Sequence, residues 1–253
     1  MRTVFNSYKS FKGGGSQLVY RFIKEFQESF CQRVFKYARH RLQDLDTGGF
    51  EHAFYYGEEV TKTFVTGALD DVCKSNVMQE YSVERKKTAS KNKRSTANGK
   101  LDYWCGYGDL TKISILMEVK QHWIQYRSPN HPKPWTVSKG GIKRHHDKAN
   151  EQIRDIKDKT LLAVGSLYGL ALTILPIYVR YKSKEEDPVY LNTKLLNAIA
   201  GEARREANAN AYGAFCLKKE LCLKDFWDTD NGTVYQSYPG VVLLWSINKL
   251  TRG

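Results

Sequence analysis

A chain of 253 residues, 41% hydrophobic and 13% aromatic, is long enough to bury a substantial core and too apolar to remain disordered. Forty Lys and Arg against twenty-seven Asp and Glu leave a formal charge of +13, which points to a polyanionic partner, nucleic acid first. Five cysteines, an odd number with no CxxC pair, argue against a zinc ribbon or a disulfide framework, so buried thiols and a cytoplasmic location are expected.

The chain opens on MRTVFNSYKSFKGGGS, polar and glycine-rich, without the apolar run of a signal peptide. Residues 16–42 then carry Leu18, Phe22, Phe26, Phe30, Val34 and Tyr37 at spacings of three and four, the pattern of an amphipathic helix capped by Ser16. Its aromatic face either meets a second copy of the chain, making a homodimer, or packs on the protein's own core. DLDTGGF breaks this helix, and a second is expected over roughly 51–73 with Ala53, Gly57, Val60 and Phe64 on one face. The chain then divides into a helical extension, 1–46, and a core with C-terminal additions, 47–253.

A short strand from Glu80 runs into a basic segment. Arg85, Lys86, Lys87, Lys91, Lys93, Arg94 and Lys100 fall within sixteen residues, with no acid among them. Such a run is either a solvated loop or a loop that neutralises phosphates and orders on a bound duplex. Two strands follow over 99–123, then the loop YRSPNHPKPWTVSKGGIKRHH and a third helix, HDKANEQIRDIKDKT. Residues 161–179, LLAVGSLYGLALTILPIYV, hold no charge and touch the lower limit of a membrane span. Glycines, Ser166, Tyr168 and Pro176 interrupt the run and no second span follows. The reading is therefore a turn near 165–169 and a buried central strand, with no membrane association. KSKEEDP is a solvated turn, TKLLNAIAGEARREANANAY a helix, and YGAFCLKK and GVVLLWSIN two further strands. The order helix, strand, strand, strand, helix, strand, with helices added at both ends, describes an α/β protein with a mixed β-sheet flanked by helices.

The charges in this sheet need a reason. In ISILMEVKQ, Ile113, Ile115, Met117 and Val119 share one face of a strand, while Ser114, Leu116, Glu118 and Lys120 share the other. A hairpin centred near Leu110, in the turn-forming GYGDL, sets Trp104 opposite Leu116 and Asp102 opposite Glu118. The same register sends Leu101, Tyr103 and Cys105 to the apolar face. Two opposed carboxylates about 5 Å apart repel by roughly 3 kcal/mol at an effective dielectric of 20. The arrangement becomes favourable when a hard divalent cation such as Mg²⁺ lies between the oxygens. Lys120, on the same face, is placed to orient a water or steady developing negative charge. Asp102, Glu118 and Lys120 together suit phosphodiester hydrolysis, whereas a plain Glu118–Lys120 surface pair would be structural.

LD followed after fifteen residues by EVK, with a helix before and a helix and buried strand after, resembles the PD-(D/E)xK superfamily, the restriction-endonuclease-like nucleases. The resemblance covers residues 51–182. It implies an αβββαβ core and a Mg²⁺-dependent endonuclease acting on DNA, with Mn²⁺ able to substitute. It also implies that Asp102 and Glu118 are metal ligands, that Val119 lends its backbone carbonyl to the metal, and that Lys120 is the catalytic lysine. Gln121 matches a polar residue that several branches keep after that lysine. A glutamate from the first core helix is Glu58 or Glu59, with Glu51 as an outside choice, and Gln152 stands where some relatives carry a supporting polar residue. The proline of the family name is replaced by Leu101.

Two other readings remain open. His131, His145 and His146 could serve a His-Me finger nuclease, although the closely spaced partners of that fold are not matched. The adjacent His145 and His146, beside Lys143, Arg144 and Lys148, read more simply as a basic patch lining a DNA groove. A non-catalytic basic protein that binds nucleic acid on the same scaffold is the second alternative.

Overall fold

Ser16–Gln43 forms α1, and its aromatic stripe fixes where the helix lies. Phe22, Phe26 and Phe30 are fully buried, with successive ring centroids 6.3 and 5.9 Å apart. The Phe26 ring meets the edge of Trp245 at 5.3 Å, and Phe30 meets Phe215 at 6.2 Å. Burying each such side chain contributes about 1.5–3 kcal/mol. The aromatic face therefore packs on the protein's own core.

The computed structural model describes residues 2–7, 16–43, 54, 57–84, 98–109, 111–127, 134–137, 141–156, 165–222, 224–230 and 232–250. After β1 (Arg2–Ser7) and α1 come α2 (Glu58–Cys73), β2 (Val77–Glu84), β3 (Asn98–Tyr107), β4 (Ile113–Gln121), β5 (Ile124–Tyr126), β6 (Trp135–Val137) and α3 (Gly141–Arg154). The chain continues through β7 (Ser166–Tyr181), α4 (Thr193–Ala207), β8 (Ala211–Cys216), β9 (Asp225–Thr229) and β10 (Gly232–Leu250). The strands make one open mixed sheet of order β1-β8-β10-β7-β4-β3-β2. Short β5 joins β6 and β7, and β9 joins β10. β4 and β7 run parallel, whereas β2, β3 and β4 form an antiparallel meander. α1 and α2 cover one face and α3 and α4 the other. This is the α/β class expected from the sequence, and its middle strands are buried on both faces, as their continuous apolar runs require.

Several local expectations are corrected. α2 begins at Glu58, because Gly57 takes φ +80°, outside the helical region. Its buried stripe is consequently Thr61, Val65, Ala68, Leu69 and Cys73, rather than Gly57, Val60 and Phe64; Ala53 lies outside the described residues, and Phe64 meets Tyr37 of α1 at 5.5 Å. Gly67 lets α1 and α2 approach, since a Cβ there would strike the Arg33 guanidinium. Arg33 grips Asp71 with two hydrogen bonds of 2.9 and 2.7 Å. α3 starts five residues before the expected helix, because the buried repeat begins at Ile142 and continues through His146, Ala149, Asn150 and Ile153. β7 is already a strand at Ser166, so the turn is confined to Gly165, at φ +73°. β1, β5, β6 and β9 fall where no strand was expected.

The apolar run that could have been read as a span is thus, where described, the strand between β4 and β10. Among the described residues, no helix is long and apolar enough to cross a membrane. All five cysteines are buried free thiols, and burial pushes the Cys222 thiol up to about 12.

His146 is no part of a surface patch. Its ring is fully buried, with Nδ1 2.8 Å from Thr173 Oγ1 and Nε2 2.7 Å from Ser246 Oγ. Burial lowers its pKa to about 4, against a small opposing pull from Asp147. The unfolded chain takes up a proton near pH 6.5 while the folded chain stays neutral, so stability is full above that pH and falls as pH drops toward 4. Urea unfolding of wild type against His146→Gln is expected to show about 3 kcal/mol more loss for wild type between pH 7 and pH 4.

Candidate active site

The site is built where two paired strands part. Trp104 stands opposite Leu116 and Tyr103 opposite Met117, the register expected from alternation, and the β3–β4 ladder ends there. Beyond it, Asp102 Oδ2 accepts the Val119 N–H at 2.8 Å, so a side chain takes the amide that a strand carbonyl would otherwise receive. On the other side of β3, Glu80 at φ +47° is passed over in the β2–β3 pairing, which resumes at Tyr81 and Leu101. An unstrained strand does not use positive φ for a glutamate, so the ladder is interrupted on both sides of Asp102. Leu101 is turned by this interruption. It packs with Trp104, Leu116 and Val83, not with Tyr103 and Cys105 as period two alone predicts.

Four charges close a ring around the gap. Lys62 Nζ lies 3.2 Å from Asp102 Oδ1 and 3.4 Å from Glu58 Oε1. Lys120 Nζ lies 3.4 Å from the same Glu58 oxygen and 3.9 Å from Asp102 Oδ2. Lys120 also donates to its neighbour's carbonyl, Val119 O, at 2.9 Å. Burial alone would lower the Lys62 pKa, but Asp102, with help from Glu58 and Glu59, more than offsets this and holds the ammonium above the usual lysine range.

The two helix glutamates are separated by this geometry. Glu58 is 32% exposed and contacts both lysines, while Glu59 is 87% exposed and reaches only Lys62, at 3.8 Å. Glu118 is 1% exposed on the strand between Leu116 and Lys120. Gln121 is also buried, and its Oε1 accepts a 2.5 Å hydrogen bond from Thr61 Oγ1 of α2, while its Nε2 has no acceptor. Thr61 thereby anchors the Gln121 side chain beneath α2.

The remaining candidates are spread more widely. Lys143 and Arg144 are exposed on α3, where Lys143 pairs with Asp147. Lys100 pairs with Glu80 across β2 and β3 at 2.5 Å, both exposed. Gln152 lies on α3, half-buried. Arg85, Lys86, Lys87, Lys91, Lys93, Arg94, Glu51 and His131 lie outside the described residues. His145 stacks on His122 with ring centroids 4.9 Å apart and planes 19° from parallel. Burial lowers both pKa values, and the field of Glu58 and Lys120 reaches His145.

Among the described residues, no three His, Cys, Asp or Glu side chains form a ready metal cage. The donors that converge are hard oxygens, Glu58, Asp102 and the Val119 carbonyl, and ammonium groups already stand among them. An ion that asks for one or two carboxylates and keeps its waters, as Mg²⁺ does, fits this set; zinc, which seeks a closed cage of nitrogen and sulfur, does not.

No protein-family model, curated protein or solved structure matches the chain. Sequence reasoning missed Lys62 and Thr61. The available signal was EEVTK, in which Lys62 follows Glu58 at i,i+4 and reads as an ordinary helix pair. Thr61→Val is expected to leave the buried Gln121 amide unpaired at both ends and to cost about 1–3 kcal/mol in chemical denaturation.

Proposed function

We propose that the protein is a metal-dependent nuclease of the restriction-endonuclease-like kind, hydrolysing DNA phosphodiester bonds with Mg²⁺ or Mn²⁺. The observation that carries this reading is the convergence of Glu58, Asp102, Lys120 and the Val119 carbonyl where β3 parts from β4. The element order α2-β2-β3-β4, then the short β5 and β6, then α3-β7, antiparallel through β4 and parallel from β4 to β7, supports an αβββαβ core with two short strands inserted. The charge of +13 and the exposed Lys143, Arg144 and Lys148 on α3 support a phosphate-bearing partner.

On this reading Asp102, Glu118 and the Val119 carbonyl would hold the metal with Glu58 as a further carboxylate, and the ion would supply positive charge and a more acidic water. Lys120, fixed by its bond to Val119 O, lies beside the phosphate and opposes the negative charge that builds on its oxygens. Glu58 also pairs with Lys120, at 3.4 Å.

The reading is tested by a cleavage panel in Mg²⁺ or Mn²⁺ over supercoiled, linear, branched and single-stranded DNA, with RNA as control. Lys120→Ala and Asp102→Asn are each expected to lose about 100-fold or more in rate while retaining DNA binding. No cleavage by wild type in either metal, with affinity that falls steeply in salt, would instead identify a non-catalytic nucleic-acid binder. At saturating metal, Glu58→Gln is expected to reduce cleavage strongly and Glu59→Gln to leave it near wild type, read in the same assay.

A further inference from the structure

Glu58 on α2 and Asp102 on β3 come from different elements, yet both hold one ammonium group, Lys62 Nζ, at 3.4 and 3.2 Å. That position lies between hard oxygens, where a divalent cation would be most strongly attracted. The backbone beneath Lys62 is fixed, since its carbonyl accepts the hydroxyls of Thr66 at 2.8 Å and Tyr103 at 3.2 Å. The flexible stem is therefore the part that can move. It also has somewhere to go, because Glu59 Oε1 stands 3.8 Å from the same nitrogen on a side chain directed into solvent. Lys120 has no such alternative in this geometry, being held by Val119 O as well as by Glu58.

We propose that Lys62 is the resident counter-cation of the site, which a divalent metal must displace from Asp102 and Glu58 and which then transfers to Glu59. The inference rests on the metal-dependent reading of the same residues. The ammonium keeps the carboxylates from repelling one another when no metal is bound, and it weakens metal binding by competing for the same oxygens. The adjacent acids of EEVTK then have separate tasks, Glu58 facing the site and Glu59 receiving the displaced lysine.

The test is calorimetric titration of Mn²⁺ into the metal-free protein without nucleic acid, so that no cleavage is needed to read it. Lys62→Met, which keeps the stem and removes the charge, is expected to bind Mn²⁺ about tenfold more tightly than wild type, and its metal-free melting temperature is expected to fall. Lys62→Arg is expected to bind like wild type, and Glu59→Gln more weakly than wild type. Lys62→Gln carries the same comparison should the methionine variant not fold. Equal or weaker Mn²⁺ binding by the charge-removing variant overturns the role of Lys62 and leaves the nuclease reading standing. Absence of Mn²⁺ binding in wild type and every variant overturns both together.

Discussion

The site depends on the separation of β3 from β4 at Asp102. A sheet normally satisfies each amide with a carbonyl of the neighbouring strand, and an amide left without one in the interior costs about 1–3 kcal/mol. Here the Asp102 carboxylate takes the Val119 N–H, so the strands can diverge without that loss. The divergence lets Lys62 of the covering helix α2 reach Asp102, and Glu58 reach Lys120. A carboxylate on a regular, closed ladder would not reach both an amide of the next strand and a lysine of the covering helix.

The charges gathered there do not make an efficient stabilising device. Partly buried ion pairs gain Coulomb energy but lose hydration, and well-packed apolar side chains in the same volume are often as stable or more so. The neighbouring structure shows what stability alone selects. Val119 and Met117 lie in the apolar core beneath α1, and the polar contact that ties α1 to α2, Arg33 to Asp71, is a bidentate pair on the exposed side. Among the described residues, the partly buried charge gathered around Asp102 and Lys120 is therefore a cost that folding alone does not explain.

The register of the hairpin was legible because period two and one turn fix it, and a slip of one residue would have buried the wrong face. The partners across elements were not. Lys62 looks like half of a surface helix pair until α2 is laid over β3, and Thr61 is an unremarkable threonine until Gln121 is found beneath it. Leu101 departs from alternation because the strand is interrupted beside it, a local event that depends on Glu80 in another strand. His146 was misread for a related reason: counted as polar, it hid the first turn of α3, whereas Thr173 and Ser246 make it an interior residue. Position along an element was readable, but the choice of partner across elements required the fold.

The packing of Phe26 on Trp245 joins a helix near one end of the chain to a strand near the other. A nascent chain cannot make that contact, or pair β1 with β8, until roughly two hundred residues between the partners have emerged. Meanwhile the aromatic stripe of α1 must wait, exposed or loosely collapsed, for the strands that cover it. Contacts so distant in sequence fold slowly and leave apolar surface open to association. The cover over the α1 stripe is therefore the last part of the core that the chain can close.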